Sequence, residues 1–342
     1  MASGRQALRG VAVLVAAFLA TSGLAVAPAT AGAASDSVVS INSVSVGSTQ
    51  TAGKLLAYWT PQRRRQATPE KPVRVDPAAT TDVPPSRLPA RSRPGTTPKL
   101  RASRVGDVGV QDVTTAQPWG PHGQLPATTI GKLYYTRDDG SAGYCSASVI
   151  NAENLSTIWT AGHCVHGGGA GHGWFTDFLF MPDYDNGTAI GSWTWKQVTA
   201  TNGWVQNGDW QYDMAAIALW PNDLGRVADY TGSQGYKFGQ GYSWNVDEFG
   251  YPQDAVPART DLNGEHLYYC QGPTSENSGF MEIGCDMFHG ASGGPWLDDL
   301  QASRGWGYIV GANSWHYFDF SVYRSAYHGD AAIDVFDAIR NV

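Results

Sequence analysis

The sequence predicts an all-β fold, a sandwich or barrels, on three observations. Only 15% of the residues are charged, while 41 are glycine, 13 tryptophan and 16 tyrosine, a composition that suits strands and turns better than helices. From about Thr128 onward, short runs rich in β-branched and aromatic residues are bounded by clusters of Gly, Asn, Asp and Pro. No internal repeat and no alternation of helix with strand interrupts that pattern. With 342 residues, 42% of them hydrophobic, the chain is long enough for one large domain or two.

The chain begins with segments of another kind. Arg5 and Arg9 precede an apolar run from 11 to about 26, followed by A-T-A and A-G-A, both of the small-x-small form of a signal-peptide cleavage site. The run is shorter than the roughly 20 residues of a membrane span. Residues 1–33 therefore read as a secretory signal, the protein as secreted and extracellular, and no membrane partner is expected. Residues 34–118 are rich in Pro, Thr, Ala and Ser and are expected to be largely disordered, because they cannot bury enough apolar surface to offset the entropy of ordering. The exception is an apolar patch, L-L-A-Y-W-T at 55–60, which could dock. Residues 54–104 hold 12 Lys and Arg against three acids, net +9; from 105 on, nine Lys and Arg face 26 acids, net −17. A basic run can signal nucleic acid. Here the acidic remainder is the nearer partner, so 34–118 reads as a prosegment held partly by charge, and no nucleic-acid partner is expected.

Residues 119–342 then form the domain. Strands are expected at 130–135, 144–150, 156–160, 215–220 and 306–312, with a junction between two halves near 221–240. One helix is expected, at 331–339, where Ile333, Phe336 and Ile339 share a loose face. Cysteines at 145, 164, 270 and 285 are an even, sparse set that reads as two disulfides in an exported chain, with three pairings open.

The chemistry centres on C-D-M-F-H-G-A-S-G-G-P-W at 285–296. Ser292 stands between Gly290 and the pair Gly293–Gly294, in a loop that can present a hydroxyl beside converging backbone N–H groups, as a nucleophile and an oxyanion site require. T-A-G-H-C places His163 at the end of a strand, where an imidazole can take a hydroxyl proton and return it. Asp213 opens Y-D-M-A-A-I-A-L-W; an acid leading into an apolar strand needs a partner such as a histidine N–H. Asp209 and Asp185 are alternatives with more polar neighbours. His166 and His172 lie in the following Gly-rich loop, but their spacing fits no common ligand pattern, and no metal or other cofactor is expected.

T-A-G-H-C, Y-D-x-A-x-x-x-L and G-x-S-G-G-P, in that order, resemble the chymotrypsin/trypsin superfamily of serine peptidases. C-S-A-S-V-I-N, T-A-G-H-C-V-H and G-A-S-G-G-P-W are similar to the secreted trypsin-like and glutamyl-endopeptidase-like enzymes of actinobacteria, and A-Y-W-T-P resembles part of their prosegments. The likeness runs from about Ile130 to the C-terminus. It implies two packed six-stranded antiparallel β-barrels with a C-terminal helix, and a secreted serine endopeptidase made as a pre-pro-protein. His163, Asp213 and Ser292 would be the triad, the N–H groups of Gly290 and Ser292 the oxyanion site, and a protein or peptide the substrate of a monomeric enzyme. It implies Cys145–Cys164 as the first bridge, which leaves Cys270–Cys285.

The sequence also departs from that pattern. Ala291 stands where trypsin-type enzymes carry the aspartate that pairs with a new N-terminal amine, so a blocking prosegment is the expected latch. Asp286 lies six residues before Ser292, where trypsin carries its pocket acid, though Cys285 makes the spacing irregular; a solvated loop acid or a structural acceptor is the favoured reading. Ser314 and Trp315 resemble the edge strand that pairs with substrate backbone. Asn313 stands where glutamate-specific members carry histidine, and His316 replaces the usual glycine beside the pocket. The alternative from a different class is a catalytically inactive secreted binding protein on the same fold.

Overall fold

The computed structural model describes residues 41–45, 49–71, 86–99, 112–253, 259–316 and 321–342, with main chain only at 49–51. The expected signal peptide lies outside the described residues. The N-terminal segment supplies β1 (Ile41–Ser45), α1 (Thr49–Tyr58), α2 (Pro61–Gln66), β2 (Thr68–Pro69), β3 (Arg91–Arg93) and β4 (Val113–Pro118). Among the described residues, no helix is long and apolar enough to cross a membrane.

The first barrel is built from β5 (Ile130–Thr136), β6 (Ala142–Val149), β7 (Thr157–Thr160), β8 (Thr176–Pro182), β9 (Trp193–Thr201) and, after the short helix α3 (Asn202–Asn207), β10 (Ala215–Leu219). Every neighbouring pair is antiparallel, and the pairing of β8 with β9, Leu179 opposite Thr194, closes the ring. Closure explains the sequence: β7 and β10 are buried along their whole length, so neither alternates; β10 is wholly apolar, and β7 sets Ile158 and Trp159 between two buried threonines. The five expected strands and the helix all appear, with ends shifted by up to two residues.

After α4 (Val227–Thr231) the second half contributes β11 (Gly235–Phe238), β12 (Asn245–Gly250), β13 (Tyr268–Pro273), β14 (Ser275–Asn277), β15 (Phe280–Gly284), β16 (Pro295–Asp298), β17 (Tyr308–Ala312), β18 (Trp315–His316) and β19 (Val322–Ala326). One sheet runs β3-β11-β17-β16-β12-β13-β4 and the other β14-β15-β19-β18. The second barrel is formed where β17 bends into β18 and where Cys270 on β13 is bonded to Cys285 just past β15. Its core includes Val246, Met281, Ile283, Met287, Trp296, Val310 and Tyr323. The final helix, α5 (Asp330–Ile339), buries Ile333, Phe336 and Ile339 as the spacing predicts. Between β19 and α5, His328 accepts from Trp159 Nε1 at 2.8 Å and donates Nδ1–H to Ala326 O at 2.9 Å. Burial pulls its pKa down to about 4, so it is a neutral core bridge.

The stretch expected to be largely disordered is partly built into the molecule. β1 extends the first barrel by pairing with β9, β2 runs parallel to β6, β3 pairs with β11, and β4 pairs with β13. Leu55 and Trp59, both in the apolar patch, are buried; Trp59 has no exposure, and its Nε1 donates to Asp177 O at 2.5 Å. Charge also contributes: Arg91 pairs with Asp337 at 2.6 Å, Arg93 with Glu153 at 2.7 Å and Lys99 with Asp229 at 2.5 Å. Partly exposed pairs of this kind are each worth about 0–1 kcal/mol, whereas truncating a buried tryptophan costs ~3–5 kcal/mol. Apolar anchoring and sheet edges thus supply the larger share, and edges offered by a folded partner leave no trace in composition. In urea unfolding of the intact chain, Trp59→Ala is expected to cost ~3 kcal/mol or more and Arg93→Ala ~1 kcal/mol or less. Equal effects would overturn this ranking.

Candidate active site

The sequence-predicted site residues meet between the two halves. His163 lies in a 3-10 turn, Gly162–Cys164, directly after β7, and Cys164 is bonded to Cys145 on β6. Asp213 follows another 3-10 turn, Trp210–Tyr212, and leads into β10. Its carboxylate accepts the His163 backbone N–H at Oδ1 and His163 Nδ1–H at Oδ2, both at 2.7 Å, and the Ser314 hydroxyl also donates to Oδ2. Asp213 is 1% exposed, so three donors compensate the burial of its charge. With the Nδ1 proton committed, Nε2 is the acceptor face of the imidazole, and it is buried and unpartnered; Ser292 Oγ is buried too, beside the Tyr323 hydroxyl. Burial lowers the His163 pKa, but the charge of Asp213 and its hydrogen bond outweigh that and the net shift is upward. The rings of Trp204 and Trp210 flank the imidazole, with centroids at 6.3 and 5.6 Å.

The Ser292 loop is braced from both barrels. Ser146 N–H on β6 donates to Ser292 O at 2.7 Å, and Ser146 Oγ donates to Gly290 O at 2.9 Å. Gly293 N–H donates to Asn313 O at 2.7 Å. Gly290 and Gly293 have φ of +87° and +77°, and a Cβ on Gly293 would run into Thr160 Oγ1 and Ser146 O. Asn313 is fully used as a clamp: its Nδ2 donates to Phe249 O and Ala291 O at 3.1 and 3.0 Å, and its Oδ1 accepts from Trp296 Nε1 at 2.6 Å. Ala291 is buried in the second-barrel core. The Gly290 N–H donates at 3.2 Å to the carbonyl of Glu70, which follows β2.

The candidate pocket residues separate. Asp286 is occupied: Oδ2 accepts from Arg259 Nη1 and Oδ1 from Ala116 N–H, both at 2.6 Å. Its charge is spent on structure. Trp315 and His316 form β18, while Ser314 is spent on Asp213. His316 lies against Phe288, ring centroids 3.6 Å apart, and 5.9 Å from the Tyr323 ring. The Gly-rich loop histidines act locally: His166 Nδ1 accepts from Gly168 N–H, and His172 sits 3.7 Å from Asp138. Two groups of potential metal ligands occur among the described residues, around His163 and around Glu248, but in both the sulfurs are tied in a disulfide and are not thiolates.

Glu248 is the residue that sequence reasoning missed. On β12 it shares a face with Val246, so period-2 alternation was the available signal. It is 0% exposed, and neither carboxyl oxygen has a partner. Burial first, then the charge of Asp286, raises its pKa well above the ordinary value, and burial pushes neighbouring Asp247 up to about 7. A raised carboxyl pKa favours folding fully below the unfolded value, and that contribution is lost as pH rises through the folded one. Glu248→Gln should therefore narrow the loss of stability between pH 5 and pH 8 by ~1 kcal/mol or more in urea unfolding. An unchanged pH dependence would show that the carboxyl is ionised in the folded protein.

Comparison with solved structures places this geometry among known proteins. Over 65% of this chain and 99% of the other, the fold matches the protease Anisep from Arthrobacter nicotinovorans, with 32% identity and a TM-score of 0.58. The thermostable serine protease AL20 from an extremophilic microorganism matches over 63% of this chain and 98% of its own, at 27% identity and a TM-score of 0.58. A Glu endopeptidase shares the fold at 21% identity over 70% of this chain and 100% of its own, with a TM-score of 0.54. No family model and no curated protein matches.

Proposed function

Because the chain belongs to the chymotrypsin/trypsin-like serine peptidases, we propose that it is a secreted serine endopeptidase that cleaves proteins or peptides through an acyl-enzyme. The observation that carries the reading is the doubly bonded Asp213–His163 pair beside the braced Ser292 loop. In the proposed reaction Ser292 Oγ turns to His163 Nε2, gives it the proton and attacks the scissile carbonyl. Asp213 fixes the tautomer and stabilises the imidazolium. The N–H groups of Gly290 and Ser292 take the developing oxyanion. The imidazolium then protonates the leaving amine, and water, deprotonated by the same imidazole, releases the acyl group. Two disulfides suit an oxidising, extracellular setting.

The pre-pro reading has its own support. Ala291 offers no carboxylate to a newly formed N-terminal amine, so activation needs another device. The Glu70 carbonyl sits on the Gly290 N–H, a position the scissile carbonyl would need. Residues 34–118 then act as an inhibitory prosegment, removed during maturation.

The test is digestion of a mixed peptide library by the processed wild type and by Ser292→Ala. Ser292→Ala should lose on the order of 10⁶ in kcat and Asp213→Asn about 10⁴ at neutral pH. A near-wild-type rate for either removes that residue from the mechanism. Cuts by the wild type alone would also read the P1 preference directly. Because the His163 shift is upward, kcat/KM should fall with decreasing pH from a midpoint above the ordinary 6.5. A flat profile from pH 5 to 8 counts against a histidine base, and a processed wild type that cuts nothing favours the binding-protein alternative.

A further inference from the structure

Of the nine Lys and Arg from residue 105 on, seven pair with acids of the domain itself, and Lys196 lies over the Trp220 ring. Arg137 differs: its carboxylate comes from the N-terminal segment. Arg137 Nε donates to Glu70 Oε2 at 2.8 Å, and Tyr135 hydroxyl donates to the same oxygen at 2.7 Å. Tyr135 lies on β5 and Arg137 is the first residue past its end, and both side chains reach the same Glu70 oxygen. Arg137 is held independently of the segment by Ala142 O at 3.1 Å and Ser141 Oγ at 3.3 Å, across the turn that joins β5 to β6. Thr68 and Pro69 add contacts that leave with the segment. A cation and a hydroxyl preset by a tight hairpin and converging on one oxygen make a carboxylate receptor.

Its place in the cleft says which part of a substrate reaches it. Glu70 N–H donates to Tyr144 O at 2.9 Å, while Glu70 O accepts from Gly290 N–H. The main chain at Glu70 is thus held between β6 of the first barrel and the candidate oxyanion donor. The acyl half of a substrate is expected along 313–316, which belongs to the second barrel. Tyr144 belongs to the first barrel and precedes Cys145, whose bridge to Cys164 adjoins His163, so a chain gripped there is taken as the leaving half. The Glu70 side chain is drawn into the receptor. It seats a carbonyl at Gly290 without offering a side chain for the pocket.

We propose that Tyr135 and Arg137 form a subsite for an acidic side chain on the leaving-group side of the scissile bond, and that Glu70 fills it in the uncleaved chain as an internal ligand. The inference rests on the peptidase reading above. Release of the segment leaves Arg137 as a cation without a carboxylate in a strongly acidic domain, and an aspartate or glutamate of a peptide replaces the one lost.

The experiment uses processed enzyme obtained from the full chain. Peptide pairs are made identical except for Glu or Gln at each of the first three positions after the cleaved bond, and kcat/KM is compared within each pair. Wild type should prefer Glu at one position by roughly tenfold, the scale of one charge-assisted contact. Arg137→Gln should bring that ratio close to one, Arg137→Lys should keep part of it, and Tyr135→Phe should lower it severalfold. A wild-type ratio near one at all three positions, or a ratio unchanged in Arg137→Gln, overturns the subsite. A wild type that cuts neither member of any pair overturns the peptidase reading itself, a different failure from equal cutting of both.

Discussion

The arrangement of the site depends on one buried charge. The Asp213 carboxylate receives two bonds from His163 and one from Ser314. His163 and Asp213 belong to the first barrel, while Ser314 lies between β17 and β18 of the second. An ionised carboxylate in this setting costs several kcal/mol unless its donors are in place. The relative placement of the two barrels is therefore coupled to the hydrogen bonds of one residue. The same bonds orient the imidazole, so the interaction that holds the cleft together also sets which ring nitrogen is free to act.

The loop that carries Ser292 has a similar double tie. Ser146 binds both Gly290 and Ser292 from the first barrel, and Asn313 binds Ala291, Phe249 and Trp296 within the second. Asn313 illustrates how a position can change its task. A histidine there would contact the substrate side chain in glutamate-specific relatives; the asparagine amide is consumed by loop carbonyls and an indole N–H. Acidic selectivity at the pocket then has no donor from this position. Asp286 is likewise withdrawn, since Arg259 neutralises it.

The parts legible in the sequence were those with local causes. His163, Asp213 and Ser292 stand in motifs whose spacing follows from a strand end, a strand start and a tight glycine loop; the structure bonds His163 to Asp213 and ties the Ser292 loop to the first barrel through Ser146. Four strands of the first barrel, β5, β6, β7 and β10, were readable as runs rich in apolar, β-branched or aromatic residues, whereas β8 and β9, interrupted by Asp177, Lys196 and Gln197, were not among the expected strands. Other features arise from partners distant in sequence. Nothing local to Asp286 announces Arg259 or the Ala116 N–H. Glu248 has only its period-2 spacing from Val246 as a local signal, and its full burial comes from β13 and β16, which flank it. The ordered parts of the N-terminal segment escaped composition for the same reason. A Pro- and Arg-rich stretch cannot bury itself, but strands β1 and β3 borrow the edges of β9 and β11, and Trp59 borrows a core that the domain has already built.

That borrowing bears on how the N-terminal segment, on the proposed reading a prosegment, would inhibit and still be removed. Its ion pairs are individually weak, and its short strands could not hold as free peptides. Covalent continuity changes the arithmetic, because a tethered segment meets its site at an effective concentration on the order of millimolar rather than at the concentration of free peptide. Many modest contacts then suffice while the chain is whole. One cut removes the tether and exposes each contact to competition from solvent and substrate. The contact that weakens most consequentially is that of Glu70, since its carbonyl and its carboxylate occupy two adjoining positions in the cleft. On the proposed reading, a substrate that supplies both a scissile carbonyl and an acidic leaving-side residue displaces the segment group for group, so latency and selectivity draw on the same pair of contacts.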